Sequence, residues 1–184
     1  MGLRDRREKR QDERQAFGRG GSAERYQMRQ KVLAIGDDFW IENDRGERVF
    51  RVDGKALRLR NTLDFEDAHE TLLCRIQTRA LRVRDSMEIE DPDGGRLALV
   101  HKALVSPLRE RWKVDLPGDE EWKVQGHIAD HEYEIEADGN KIAEVSKKWF
   151  RARDTYGVQV LEGQDPALVL AVTVAVDSMA HPGK

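Results

Sequence analysis

The sequence predicts a mainly β protein, a closed antiparallel barrel of about twelve strands arranged as six hairpin repeats around a central hydrophobic C-terminal helix. Three observations lead there. A strand-turn-strand unit recurs with a period near 24 residues. That many strands do not fit one open sheet. A run of ten residues, Ala167 to Val176, is apolar on every side and must be enclosed.

The repeat is read from three versions of one strand: Phe39-Trp40-Ile41-Glu42, Met87-Glu88-Ile89-Glu90 and Tyr133-Glu134-Ile135-Glu136. Each is followed by a turn carrying Gly46, Gly94-Gly95 or Gly139, then by a second strand around Val49–Val52, Leu97–Val100 or Ile142–Val145. Weaker copies begin at Leu63, Trp112 and Tyr156, so the starts are spaced 24, 24, 25, 21 and 23 residues apart. The lead-ins Arg60-Asn61-Thr62, Arg84-Asp85-Ser86, Arg109-Glu110-Arg111 and Arg153-Asp154-Thr155 repeat as well. Two strands of ordinary length plus two turns fill such a period. A strand over Lys31–Ile35 is the least defined element. The turn Asp67-Ala68-His69-Glu70 carries no glycine where the others do, and is expected to be longer or irregular.

Closure removes the two exposed edges of a wide sheet. Eight strands already make a barrel that its own side chains fill, so about twelve leave a lumen needing an occupant. Ala167–Val176 is the segment apolar enough to serve. Its valines and Thr173 favour a strand. Asp165 as N-cap, Pro166 at the first helical position and the stop His181-Pro182-Gly183 favour a helix, here extended to about Ala180 with Asp177 near the emergence into solvent.

Residues 1–25 are assigned to a flexible charged N-terminal tail and linker, and 26–181 to the barrel. Opposite charges three and four apart over Asp5–Ala16 allow a fluctuating helix, and Gly18–Ser22 reads as linker. Residues 1–31 hold ten lysines and arginines against five carboxylates, so a net of −3 for the chain leaves −8 on the rest. A basic tail on an acidic body can meet anionic lipid or fold back on its own domain; the body is too acidic for a dedicated nucleic-acid binder. One cysteine, Cys74, in an apolar strand-like run, excludes an internal disulfide framework and suits a reducing cytosol. The N-terminus shows no apolar signal-peptide core, Arg6 stands where myristoylation favours Ser or Thr, and the apolar run is half a bilayer span. A cytoplasmic protein, peripheral at most to a membrane, is expected.

No nucleophile elbow, phosphate loop or dinucleotide fingerprint is present in the sequence. Asp91-Pro92-Asp93-Gly94 reads as a hairpin turn, since the later ligands of a calcium loop are missing. His127 and His131 are four apart but lack a third ligand, and a solvated pair is the expectation; no metal and no cofactor are assigned. The repeated aromatics read as barrel wall and core. The basic doublets Arg58/Arg60, Arg82/Arg84 and Arg151/Arg153 each flank a small or apolar residue. In a strand the two arginines share a face. With Lys147 and Lys148 they are the candidates for binding anionic lipid headgroups, as a basic belt on the barrel wall. The competing reading pairs them with outward glutamates such as Glu42, Glu88, Glu90, Glu132, Glu134 and Glu136 on neighbouring strands.

An ordered set of segments, Phe39–Glu42, Val49–Lys55, Asp130–Glu136, Ile142–Trp149, Asp154–Val158 and Asp165–Val172, resembles the LURP-one-related family over roughly residues 26–180. The resemblance implies a tubby-like fold, shared with tubby C-terminal domains and phospholipid scramblases, and a central helix rather than a strand. It implies no enzymatic activity, and phosphoinositide or phospholipid binding by analogy with the tubby and scramblase-like relatives. Two functions therefore stand: a non-enzymatic module binding anionic phospholipid at the membrane surface, and a protein-interaction or stress-regulatory scaffold that docks a partner through residues 1–21.

Overall fold

Each repeat folds where apolar and polar residues alternate, because a pleated strand sends them to opposite faces. The computed structural model describes residues 3–17, 21–29, 38–54, 62–79, 86–103, 110–149 and 155–181. A helix, α1 (Leu3–Ala16), precedes the strands β1 (Glu24–Arg29), β2 (Phe39–Asn43), β3 (Arg48–Asp53) and β4 (Thr62–Asp67). Then come β5 (Leu72–Arg79), β6 (Ser86–Glu90), β7 (Arg96–Lys102) and β8 (Glu110–Asp115). The last are β9 (Glu121–His127), β10 (Glu132–Ala137), β11 (Asn140–Ser146) and β12 (Thr155–Val160), followed by a helix, α2 (Pro166–Ala180). All twelve strands pair antiparallel in one closed barrel, each with its sequence neighbours.

Five of the six predicted pairs are consecutive hairpins, β2–β3 to β10–β11. The sixth is assembled from the two ends of the chain. After β12 the chain turns at Leu161–Asp165 into α2, so the strand that would complete the repeat is spent on filling the lumen. Its place is taken by β1, paired with β12 from Glu24↔Val160 to Arg29↔Thr155 and with β2 at Tyr26↔Asn43 and Gln27↔Glu42. The period reveals that a partner is needed, not which segment supplies it. Lys31–Ile35 lies outside the described residues.

Three of the five hairpin turns, after β2, β4 and β6, share one device. Asn43, Asp67 and Asp91 each accept hydrogen bonds on the side-chain oxygen from the backbone N–H two and four residues on, at 2.7–3.0 Å. The residue three on is left-handed: Gly46 at φ 76°, Glu70 at φ 62° and Gly94 at φ 90°. The glycine-free turn is therefore neither longer nor irregular; Asp67 holds it in the common shape, and Glu70 adopts the strained backbone that glycine adopts freely.

Inward side chains from every strand, among them Ile41, Leu63, Phe65, Ile76, Ile89, Val114, Ile135 and Val158, are almost fully buried. They enclose α2, in which Val169 through Asp177 is a continuous buried stretch. Burial on all sides is what an all-apolar helix requires. Asp165 caps α2 as predicted, its Oδ1 accepting from Ala167 N at 2.9 Å. The one hydroxyl within the apolar stretch is satisfied on the helix itself, Thr173 Oγ1 donating to Val169 O at 3.0 Å. Cys74 is buried among this core, and burial pushes its thiol up to about 12.

Antiparallel order gives the barrel two unlike rims. The tight turns of the five hairpins and the link Leu161–Asp165 lie on one, here called the hairpin rim. The connections between hairpins lie on the other, the connection rim. Since β12 runs toward the hairpin rim, α2 enters there and returns to the connection rim. Within the stretch assigned to a charged tail, α1 rests on the hairpin rim: the Lys9 ammonium donates to Gly139 O, and the Lys141 ammonium sits 4.7 Å from the Phe17 ring centroid.

Candidate functional site

Six of the eight headgroup candidates, Arg58, Arg60, Arg82, Arg84, Arg151 and Arg153, lie outside the described residues. Lys147 and Lys148 follow β11. The Lys148 ammonium donates to Glu132 Oε2 at 2.8 Å while remaining largely exposed, and Lys147 contributes its backbone N–H to Glu132 Oε1 at 3.0 Å. Burial alone would raise the Glu132 carboxyl. The hydrogen bonds from Lys148, Ser146 and Lys147 N outweigh that and hold it below the usual carboxylate range.

The outer wall is dominated by pairs. Arg79 bonds Glu88 and Glu90 on the next strand, Arg75 lies 3.6 Å from Asp64, and Lys113 is 2.5 Å from Glu121. Arg51 is shared among Asp38, Glu66 and Glu70, with Asp38 at 2.6 Å. Among the described residues the cross-strand pairing reading therefore accounts for these wall arginines.

By sequence position, charge divides between the two sets of segments that join strands, nine of the eleven basic residues counted below lying outside the described residues. The hairpin turns and the link to α2 hold ten aspartates and glutamates and one arginine. The chain segments joining strand ends on the connection rim hold eleven lysines and arginines and five aspartates. By sequence position all eight headgroup candidates fall in those joining segments, six of them outside the described residues. The signal was present in the sequence, but only strand order tells which segments share a rim.

The connection rim also contains a polar cluster that sequence reasoning missed. Residues Ile128–Asp130 make one 3₁₀ turn after β9, and His131 closes it in a left-handed conformation at φ 54°, its N–H donating to Ile128 O at 3.0 Å. That backbone sends the imidazole into the barrel. His131 is fully buried, so the expected solvated pair with His127 is not formed; His127 alone is exposed. Asp177 is 2% exposed, where emergence into solvent was expected, because the wall reaches one turn further along α2 than the apolar run does.

His131 Nε2 lies 3.1 Å from Asp177 Oδ2 and 2.9 Å from Oδ1, and the Tyr156 hydroxyl donates to Oδ2 at 2.9 Å. The His181 ring stacks on that of His131 with centroids 4.9 Å apart, and its Nε2 is 3.2 Å from Ala129 O. Burial first, and the neighbouring Asp177 second, keep the Tyr133 and Tyr156 hydroxyls protonated well above the ordinary phenol range. The arrangement pins the last turns of α2 to β12 and to the β9–β10 connection. One sequence signal pointed to it: an acid directly after a run that is apolar all round, followed four residues later by a histidine on the same helical face.

A family model described as LURP-one-related matches residues 24–177. A curated relative from Bacillus subtilis (strain 168), named "Uncharacterized protein YxjI", is 22% identical over 154 residues, covering 84% of this chain and 92% of its own. The crystal structure of an Arabidopsis thaliana protein superimposes with a TM-score of 0.66 at 15% identity, covering 86% of this chain and 92% of the other. The latter likeness concerns the fold.

Proposed function

Because the chain belongs to the LURP-one-related family, we propose that it is a non-enzymatic module that binds anionic phospholipid headgroups at a membrane surface through its connection rim. The observation that supports this reading is a division of charge along the sequence: eleven basic residues and five aspartates in the segments that join hairpins, against ten acidic residues and one arginine in the hairpin turns and the link to α2. An anionic surface attracts the first set and repels the second, so the barrel would dock end-on. Arg58, Arg60, Arg82, Arg84, Arg151 and Arg153 supply guanidinium groups of the kind that bind phosphate in a bidentate manner. Peripheral attachment also suits a protein in which, among the described residues, no helix is long and apolar enough to cross a membrane.

The test is co-sedimentation of the full chain with vesicles of phosphatidylserine in phosphatidylcholine, beside pure phosphatidylcholine. A basic residue near such a surface contributes about 1 kcal/mol, so Arg82→Ala with Arg84→Ala should weaken binding about thirtyfold. Arg45→Ala, on the hairpin rim, should leave binding unchanged, and raised salt should abolish it. Failure to bind acidic vesicles at low salt, or equal binding by both variants, would refute the proposal. If removing residues 1–21 instead abolishes capture of a protein partner, the scaffold reading takes its place.

A further inference from the structure

We propose that His131, Asp177 and His181 form a binding site for a divalent transition-metal ion, of the class that imidazole and carboxylate ligands favour and zinc represents. Their ligating atoms all lie within 4.8 Å of one another. Asp177 Oδ1 is the centre, 2.9 Å from His131 Nε2 and 3.9 Å from His181 Nδ1. Zinc bonds nitrogen and oxygen at about 2.0–2.2 Å, which places tetrahedral ligand atoms about 3.4 Å apart. Two of these separations bracket that value; the partly exposed His181 ring, stacked on His131 at 14°, has to turn out of the stack to aim its lone pair at the same point.

The elements bring the ligands together without strain on the barrel. Asp177 lies in the last turn of α2, and His181 caps its C-terminus, its backbone N–H donating to Asp177 O at 3.0 Å. His131 arrives from the opposite side, on the β9–β10 connection. The carbonyl end of a helix favours a cation.

The surrounding hydrogen bonds leave the right lone pairs free. The Tyr156 hydroxyl occupies Asp177 Oδ2, whereas Oδ1 is buried with no hydrogen-bond partner. His181 Nε2 faces Ala129 O at 3.2 Å, and the tautomer that donates there leaves a lone pair on Nδ1. That Nδ1 then faces the Asp177 backbone oxygen at 3.3 Å and Oδ1 at 3.9 Å, acceptor toward acceptor, an arrangement a cation relieves. His131 Nδ1 is buried without a hydrogen-bond partner and can take the ring proton, which turns the Nε2 lone pair toward Oδ1. His181, about a quarter exposed, is the entry path. Three protein ligands leave a fourth position open to water or to an oxygen of a bound ligand.

The experiment uses the untagged full chain stripped of metal by chelation, titrated with Zn²⁺ by calorimetry and with Co²⁺ by visible absorption. One saturable site is expected, with the Co²⁺ bands of mixed nitrogen and oxygen ligands. His181→Ala, at a half-buried helix end and expected to fold, should weaken both at least tenfold, and His127→Ala, on the exposed end of β9, should change neither. Asp177→Asn serves as a second variant, with circular dichroism reporting its fold. Absence of saturable binding, or binding that His181→Ala leaves intact, would overturn the proposal and leave the cluster as a hydrogen-bonded staple. Vesicle binding is measured separately, so either proposal can fail alone.

Discussion

Truncating Leu170 to alanine tests the enclosure of α2 most directly. Leu170 has no exposed surface, and its neighbours on all faces of the helix are equally buried. Removing three carbons forfeits roughly 2.4 kcal/mol of transfer free energy at about 0.8 kcal/mol per methylene. The cavity left behind adds to this, and how much depends on whether the walls can collapse. Here they cannot move far, because the radius of the barrel is held by twelve hydrogen-bonded ladders closed on themselves. The expected cost is therefore about 4 kcal/mol, in the upper part of the range known for buried leucines. Leu168→Ala, two residues nearer the mouth and only partly buried, should cost about half as much. Urea unfolding followed by tryptophan fluorescence and far-ultraviolet circular dichroism gives both values, provided the slope with denaturant is unchanged. A cost below about 1.5 kcal/mol at Leu170, or equal costs at the two sites, would show that the helix is not enclosed as described.

Two further outcomes follow from single positions. Gly126 sits at φ 145°, and a Cβ there would lie 2.5 Å from Glu132 O and 2.7 Å from Tyr133 Cα, so Gly126→Ala should cost about 3 kcal/mol or prevent soluble expression; unfolding within about 0.5 kcal/mol of wild type would refute that. Cys74, with its thiol pushed up to about 12, should resist a thiol reagent at pH 8 until denaturant is added. Because the folded thiol holds its proton to higher pH than the unfolded one, this contribution to stability is complete below about pH 8.5 and is lost as pH rises toward 12, at up to about 1.4 kcal/mol per pH unit. Rapid labelling of the native protein at pH 8 would contradict the burial.

The barrel was legible because its repeat is written in residues whose direction is fixed by the backbone. Ile41, Ile89 and Ile135 occupy one inward position, and the glutamates beside them face out. Asp165, Pro166 and the all-apolar run identified α2. What stayed hidden depended on pairing between distant segments. Nothing local in Glu24–Arg29 announces that it completes β12, since the need arises only because α2 has left the wall. His131 reads as a turn residue until its left-handed backbone turns the ring inward, and Asp177 reads as a helix exit until the wall is seen to extend past it. For the proposed headgroup residues, spacing led to an outward belt on the wall. Among the described cations, Arg51, Arg79, Lys113 and Lys148 are held by Glu66, Glu88, Glu90, Glu121 and Glu132, and the six named arginines lie outside the described residues.

Strand order also explains the direction in which α2 is threaded. A helix apolar on every face has no preference for either orientation inside an apolar tube; its ends decide. The link Leu161–Asp165 is too short to carry the chain from the hairpin rim back along the outside, so the N-terminus of α2 must enter at the acidic rim. The helix dipole fits that entry at its positive end, which meets Glu162 and Asp165; its negative end lies at the connection rim beside His181. Each such contact contributes about 0.3–1 kcal/mol, little beside the apolar burial. The same polarity weighs on function. The carbonyl end of α2 lies at the rim proposed to receive phosphate, and it opposes an anion there with about half an elementary charge. The anion binding proposed for that rim therefore gains nothing from the helix at its centre. The centre of the rim, closed by Asp177 and two imidazoles, is suited to a cation, and one charge of each sign side by side is how a headgroup phosphate and a metal ion would share the same end of the barrel.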